Sequence, residues 1–159
     1  MKRRKSDKTP SAIVGQSGTD ASAPIDLQPI ALPQPEKDGG KSVLASLHER
    51  KTDRRIGADP LPLQTLSNLL WAAFGVNRTE DGLRGKPGRT AASASNSQEI
   101  DLYVVLPEGV YLYEAGPHHL APIAAGDFRG RSWWGSAQTA PVNIFFVVDL
   151  VVCPGNTFT

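Results

Sequence analysis

Val142-Asn143-Ile144-Phe145-Phe146-Val147-Val148 is a nearly continuous apolar run, and it constrains the fold more than any other stretch of the chain. It has the length of a strand rather than a helix. Successive side chains of a strand point to opposite faces, so a run without alternation needs cover on both sides. The pattern predicts a central strand inside a sheet, buried above and below. More of that sheet precedes it. Asp101-Leu102-Tyr103-Val104-Val105-Leu106 has the β-branched and aromatic content of a strand. Pro107-Glu108-Gly109 turns the chain, and Val110-Tyr111-Leu112-Tyr113 returns as the second strand of a hairpin. Residues 120–123 add a short third strand, and residues 124–138 read as a loop or short helix.

The helical signals lie earlier. Val43, Leu44 and Leu47 form one apolar stripe over a short helix ending near Arg50. Residues 52–59 are polar and irregular. A second helix starts at Pro62 or Leu63 with the stripe Leu66, Leu69, Leu70, Ala73 and Phe74, and Gly75 is placed to end it as a C′ glycine. Residues 76–98 have no period and read as a long loop, which inside a domain is usually functional. Helices first, then mostly antiparallel strands, predict an α+β fold.

Residues 1–40 are rich in Ser, Pro, Gly, Asp and Lys and read as a disordered or extended N-terminal arm. Within it residues 25–33 alternate polar and apolar, as an extended strand lying along a domain surface does. The expected organisation is an arm over 1–40, a domain over 41–149 and a tail over 150–159. The length, 159 residues, suits one domain.

Seventeen basic against sixteen acidic residues leave a net charge of +1, which gives no global case for nucleic acid or membrane partners. No run approaches the ~18 apolar residues of a membrane span. The single cysteine, Cys153, cannot form an internal disulfide, and no Cys/His cluster suggests zinc. The basic start Met1-Lys2-Arg3-Arg4-Lys5 runs into Ser6-Asp7-Lys8-Thr9-Pro10 rather than the ~7–15 apolar residues of a secretory signal. The expectation is a soluble, cytoplasmic protein.

Two clusters carry candidate chemistry. In His48-Glu49-Arg50-Lys51-Thr52-Asp53-Arg54-Arg55, the residues Arg50, Thr52 and Arg54 share one side of an extended segment. Guanidinium groups and a hydroxyl so placed suit phosphate oxygens. Basic residues closing a helix and otherwise solvated are the plainer reading, and composition alone favours it. In Arg89-Thr90-Ala91-Ala92-Ser93-Ala94-Ser95-Asn96-Ser97-Gln98, small residues let the backbone approach a flat ring, and Ser93, Asn96 and Gln98 supply donors and acceptors. A flexible Ser/Ala linker is the alternative. It is weakened because the segment runs directly into a patterned strand. His118 and His119 read as surface histidines without a carboxylate partner. Trp133 and Trp134 read as packing residues. Ser93 lacks the surroundings of a hydrolase nucleophile.

The order of these pieces resembles the nitroreductase family, and most closely its branch related to azoline-oxidising dehydrogenases. The resemblance rests on Arg50-Lys51-Thr52-Asp53-Arg54, on Pro60-Leu61-Pro62-Leu63 leading to Leu69-Leu70-Trp71-Ala72-Ala73-Phe74-Gly75, and on residues 89–98 before the strand pair. It covers residues 25–149. It implies an α+β nitroreductase-like fold, a mixed and mostly antiparallel sheet flanked by helices, assembled as a homodimer. It also implies FMN as cofactor, NAD(P)H as electron donor and a small organic molecule as acceptor. Arg50, Lys51, Thr52 and Arg54 would hold the phosphate and ribityl end, and Ser93, Ala94 and Asn96 would line the flavin, often across a dimer interface. Thr52 stands where the family usually has serine, and Ala92 where it usually has proline. The family pattern continues beyond a strand ending near Asp149, whereas residues 151–159 do not resemble that continuation. The resemblance therefore implies an incomplete domain with an under-covered apolar strand. It leaves open a non-catalytic remnant or a flavin-binding module without turnover.

Overall fold

The computed structural model describes residues 26–80, 85–131 and 135–150. Residues 1–25, the Trp133-Trp134 pair and the tail over 151–159 lie outside the described residues. In chain order the elements are β1 (Ile30–Ala31), α1 (Val43–Glu49), α2 (Leu63–Phe74), β2 (Val76–Arg78), β3 (Gly88–Arg89), β4 (Ile100–Val105), β5 (Gly109–Glu114), β6 (His119–Ala125) and β7 (Asn143–Val148). A five-stranded sheet has the order β1-β6-β5-β4-β7, and each of these pairings is antiparallel. β2 and β3 form a separate two-stranded ribbon. The expected α+β architecture is present.

Alternation along the strands selects the buried face. Leu102 and Val104 of β4, Tyr111 and Tyr113 of β5 and Leu120 of β6 pack against Leu66, Leu70 and Phe74 of α2. Burying a side chain such as Leu70 contributes ~1.5–3 kcal/mol, so this layer is the main source of stability among the described residues. The α2 stripe is narrower than its sequence suggested, because Leu69 remains 46% exposed. Two features set the register. Leu106 and Gly109 exchange backbone hydrogen bonds at 2.9 and 3.3 Å across the Pro107-Glu108 turn. Further along, Val110 faces Ala124 while Tyr111 faces Pro122, so Ile123 is the extra residue of a bulge. Pro122, which has no N–H, is tolerated beside that bulge.

Part of the expected arm joins the domain. Ile30 and Ala31 pair with Leu120 and His119 of β6, and Leu32 enters the core. The tie that fixes the arm is polar. Ser67, fully buried on α2, donates its hydroxyl proton to Pro33 O at 2.6 Å and lies 2.8 Å from His118 Nε2. A carbonyl only accepts, so Ser67 Oγ accepts from Nε2–H. The neutral ring then accepts the Tyr113 hydroxyl proton at Nδ1, 2.9 Å away. Arm, helix and sheet are thus joined through one histidine. The expectation of two surface histidines without carboxylate partners does not hold, since His118 is partly buried in this chain and His119 lies 3.3 Å from Glu114.

Three other expectations change. β7 is not central among the described residues. It pairs with β4 on one side only, and Phe145, Phe146, Val147 and Val148 are exposed. The apolar run correctly implies a strand, and Val142 and Ile144 pack against the core, but the described residues leave Phe145 to Val148 exposed. Residues 76–98 are not all loop, because β2 and β3 pair within them. Gly75 ends α2, but in extended conformation (φ −70°) rather than left-handed. Glycine is needed there because a Cβ would stand 2.3 Å from Trp71 Cδ1 and 2.7 Å from Trp71 O.

The Ser67–His118 tie makes two linked predictions. Ser67→Ala leaves two partly buried polar groups short of a partner and is expected to lower unfolding stability by ~1 kcal/mol in urea titrations; an unchanged midpoint would remove Ser67 from the stabilising network. Burial pushes the His118 pKa below its ordinary 6.5. The unfolded state then binds the proton more readily. The contribution is therefore complete above about pH 6.5 and is lost as pH falls from there through the lower folded value. His118→Gln should flatten the stability curve in that window.

Candidate functional site: a cavity walled by the small-residue loop

The end of α2 organises the site. Carbonyls of a helix's last turn lack intrahelical partners. Here they are taken up by the incoming β3 segment. Thr90 Oγ1 donates to Trp71 O at 3.0 Å, and Thr90 N donates to Gly75 O at 2.9 Å. Arg89 Nη1 donates to Phe74 O at 3.3 Å, and its guanidinium lies 5.0 Å over the Phe74 ring.

The small-residue loop that follows is internally braced. Gln98 is the hub. Its backbone N–H donates to Ser93 Oγ at 3.0 Å, its Nε2 donates to Pro87 O at 2.6 Å and Asn96 Oδ1 at 3.0 Å, and its Oε1 accepts from Arg89 Nε at 2.9 Å. Lys86 Nζ adds a bond to Ser97 O at 2.6 Å. These contacts hold Ser95, Asn96 and Gln98 at φ values of 52°, 54° and 56°. Left-handed backbone is unfavourable for serine and glutamine, and asparagine tolerates it better. Strain of this kind persists only when surrounding contacts over-determine it, and it gathers at functional sites.

The loop forms one wall of a cavity of about 890 Å³. Residues 88–93 and Asn96 line it together with Asn77, Arg78, Thr79 and Glu80 of the neighbouring strand and the turn after it. A Cβ on Gly88 would stand 2.7 Å from Arg78 Nε and 3.1 Å from Asn77 Oδ1, so a larger residue there would displace these two exposed side chains. Burial pushes the Arg89 pKa below its usual value, with Tyr113 and Asp101 acting weakly in the opposite sense.

The residues singled out from sequence fall in two places. Ser93 and Asn96 line the cavity, and Ala94 is exposed on the same turn. Arg50, Lys51, Thr52 and Arg54 are exposed on the segment after α1 and are not part of this cavity's wall. Within one chain the two clusters therefore do not share this cavity. Asn77, Arg78 and Gly88 were not singled out from sequence. The available signal was their position, directly after the helix-ending Gly75 and directly before Arg89.

The fold and this loop define the class. A model of the nitroreductase family matches residues 47–146. A solved structure from Ralstonia eutropha JMP134, provisionally named a nitroreductase, superposes with a TM-score of 0.67 at 38% identity. That match covers 80% of this chain and 59% of the solved one. Among curated proteins none matches. The chain belongs to the nitroreductase family, whose members are generally flavin-using oxidoreductases. It spans about 59% of the length of the solved relative. Among the described residues, no helix is long and apolar enough to cross a membrane.

The strained turn can be tested directly. Ser95 is exposed and left-handed, so Ser95→Gly should remove a steric cost and raise unfolding stability by about 1 kcal/mol in chemical denaturation. A destabilised Ser95→Gly would show that the side chain, not the backbone, matters at this position.

Proposed function

We propose that the chain is an FMN-dependent oxidoreductase that takes a hydride from NAD(P)H, or from a substrate, and passes it to a small organic acceptor. The observation carrying this reading is the cavity beside the strained loop. Its volume, about 890 Å³, lies within the usual range for small-molecule and cofactor sites. Its wall of Gly88, Ala91, Ala92 and Ser93 is low enough for a flat ring to lie against backbone. Asn96 and Ser93 supply amide and hydroxyl groups to the lining, whose charged residues are Arg78, Arg89 and Glu80. The residues present fit such a cofactor.

FMN supplies two-electron chemistry when bound, which is why no side chain need act as nucleophile. The chain's own residues bind and orient. Ser93, Ala94 and Asn96 set how closely the ring approaches the loop, and the bracing by Gln98 keeps that distance fixed. Arg50, Lys51, Thr52 and Arg54 form the phosphate and ribityl cradle. Because that segment stands apart from the cavity within one chain, the reading includes a homodimer in which the cradle and the loop of different copies serve one cofactor. The exposed stripe of Val43, Leu44 and Leu47 beside the cradle supplies apolar surface for such an interface.

Purified chain should be yellow, or should take up added FMN with flavin absorbance. Colourless protein that also refuses FMN would defeat the reading. Yellow protein that fails to oxidise NAD(P)H with any acceptor would indicate a flavin-binding module without turnover. Arg50→Ala should weaken FMN uptake by one charge-assisted contact, ~1.5–3 kcal/mol, read by fluorescence quenching titration. Equal affinity in wild type and variant would take Arg50 out of the cradle.

A further inference from the structure

Among the described residues the helix layer ends one strand before the sheet does. Leu102 and Val104 of β4 pack under α2, and their register partners on β7 are Phe146 and Ile144. Side-chain alternation therefore puts Ile144, Phe146 and Val148 on the α2 side of the sheet. The step is abrupt, since Leu102 is 1% exposed and Phe146, directly beside it, is 63% exposed. Val148 is exposed as well. An apolar strip alongside a packed helix layer is the place for a further helix. The other α-helix among the described residues is α1, and its stripe of Val43, Leu44 and Leu47 is exposed too. The two surfaces match in length. Val43 and Leu47 lie ~6 Å apart along a helix axis, and Phe146 and Val148 lie ~6.6 Å apart along a strand. Within one chain they do not meet, since both stay exposed.

Charge gives the docking a direction. Lys41 is paired with Glu49 and Arg55 with Asp53, which leaves Arg50, Lys51 and Arg54 without an ion pair among the described residues. All three follow the C-terminal end of α1. Carboxylates gather at one end of β7, where Asp149 follows the strand and its N–H donates to Glu99 O at 2.7 Å. At the other end Arg129 bonds Ala140 O at 3.2 Å and is paired with Asp127, so that end offers no unpaired carboxylate. A helix laid along β7 in the strand's own direction brings its cationic segment to the carboxylates, and the reverse direction does not. We propose that α1 of a second copy docks on Phe146 and Val148, its C-terminal end towards Glu99 and Asp149, and that the two copies exchange this contact about a two-fold axis. One pair of surfaces then serves twice, and the assembly closes as a dimer instead of growing. This inference rests on the homodimer of the reading above but not on its cofactor. The braced loop ends at Gln98, next to Glu99, so the same docking sets Arg50 and Arg54 of one copy near the loop of the other.

The test uses the full chain without FMN. Sedimentation velocity should show a dimer. Leu44→Glu and Phe146→Glu put a charge on one surface or the other at exposed positions, and each should weaken the dimer by at least about tenfold. Direction is read by cross-linking in a Cys153→Ser background, where only introduced thiols react. Chains with Leu47→Cys, mixed with chains with Val148→Cys and oxidised, should link at least about tenfold faster than chains with Val43→Cys do, because a disulfide needs its two Cα atoms within ~7 Å. A dimer that both charged variants leave intact, or in which Val43→Cys links as fast, keeps the homodimer and overturns this docking. A monomer in which the Leu47→Cys, Val148→Cys double variant closes within one chain assigns the strip to that chain's own α1 and overturns it too. Assemblies larger than a dimer that Phe146→Glu dissolves and Leu44→Glu does not would mean that β7 pairs edge to edge, again overturning it. Wild-type chain that stays monomeric overturns the docking and removes the homodimer from the reading. FMN uptake is scored separately: a wild-type dimer that links as expected but takes up no FMN sinks the cofactor reading and leaves the docking standing.

Discussion

The packing of one α2 face on the sheet is the constraint from which the rest follows. Leu66, Leu70 and Phe74 bury against Leu102, Val104, Tyr111, Tyr113 and Leu120. That contact fixes the axis of α2 and therefore the direction of its last carbonyls. Those of Trp71, Phe74 and Gly75 become the anchor points for Thr90 and Arg89. Phe74 works in both layers, since its ring is in the core and also under the Arg89 guanidinium while its carbonyl receives an Arg89 proton. A core substitution at Phe74 would therefore be felt at the cavity wall as well as in stability.

From that anchor the chain enters a segment that helix or sheet geometry would not hold. Three left-handed residues other than glycine within four positions would not persist on local preference. They persist because Gln98 ties its own turn to Ser93, Asn96, Pro87 and Arg89. Most of these partners lie within the loop itself, so the loop is a self-braced body tied to the helix end through Arg89 and Thr90. Such a body can present small residues at a defined distance from a ligand, which a flexible Ser/Ala linker of the same composition cannot do.

Much of this was legible in the sequence, because periodicity reports local geometry faithfully. The α2 helix, the hairpin around Pro107-Glu108 and the strand at 143–148 all follow from spacing and turn chemistry. The loop was legible as a candidate site through its small residues and its abrupt junction with β4. What stayed hidden depends on partners distant in sequence. Ser67 reads as an ordinary polar position on a helix, yet it is wholly buried because Pro33 and His118 meet there. His118 has no carboxylate neighbour in sequence and finds a serine 51 positions away. Arg89 reads as the first letter of a loop motif, and its place against Phe74 and Gln98 appears only in the fold. The run at 142–148 states a need for cover on two faces but not which residues provide it.

The unmet apolar demand bears on how the proposed cradle forms. α1 spans seven residues and exposes Val43, Leu44 and Leu47 at 74%, 79% and 63%. A helix that short is marginal in water on propensity alone, and proteins hold such helices chiefly by packing. The Ser42 cap and the Lys41–Glu49 ion pair are local and exposed, and contacts of that kind contribute little to stability. What orders α1 in the proposed dimer is therefore the surface that covers its stripe. Arg50 is the C-cap of this helix, and the cationic segment continues directly from it. In that proposed dimer, docking of the stripe would order the proposed phosphate cradle in the same step, and cofactor binding and association would be linked equilibria, each strengthening the other.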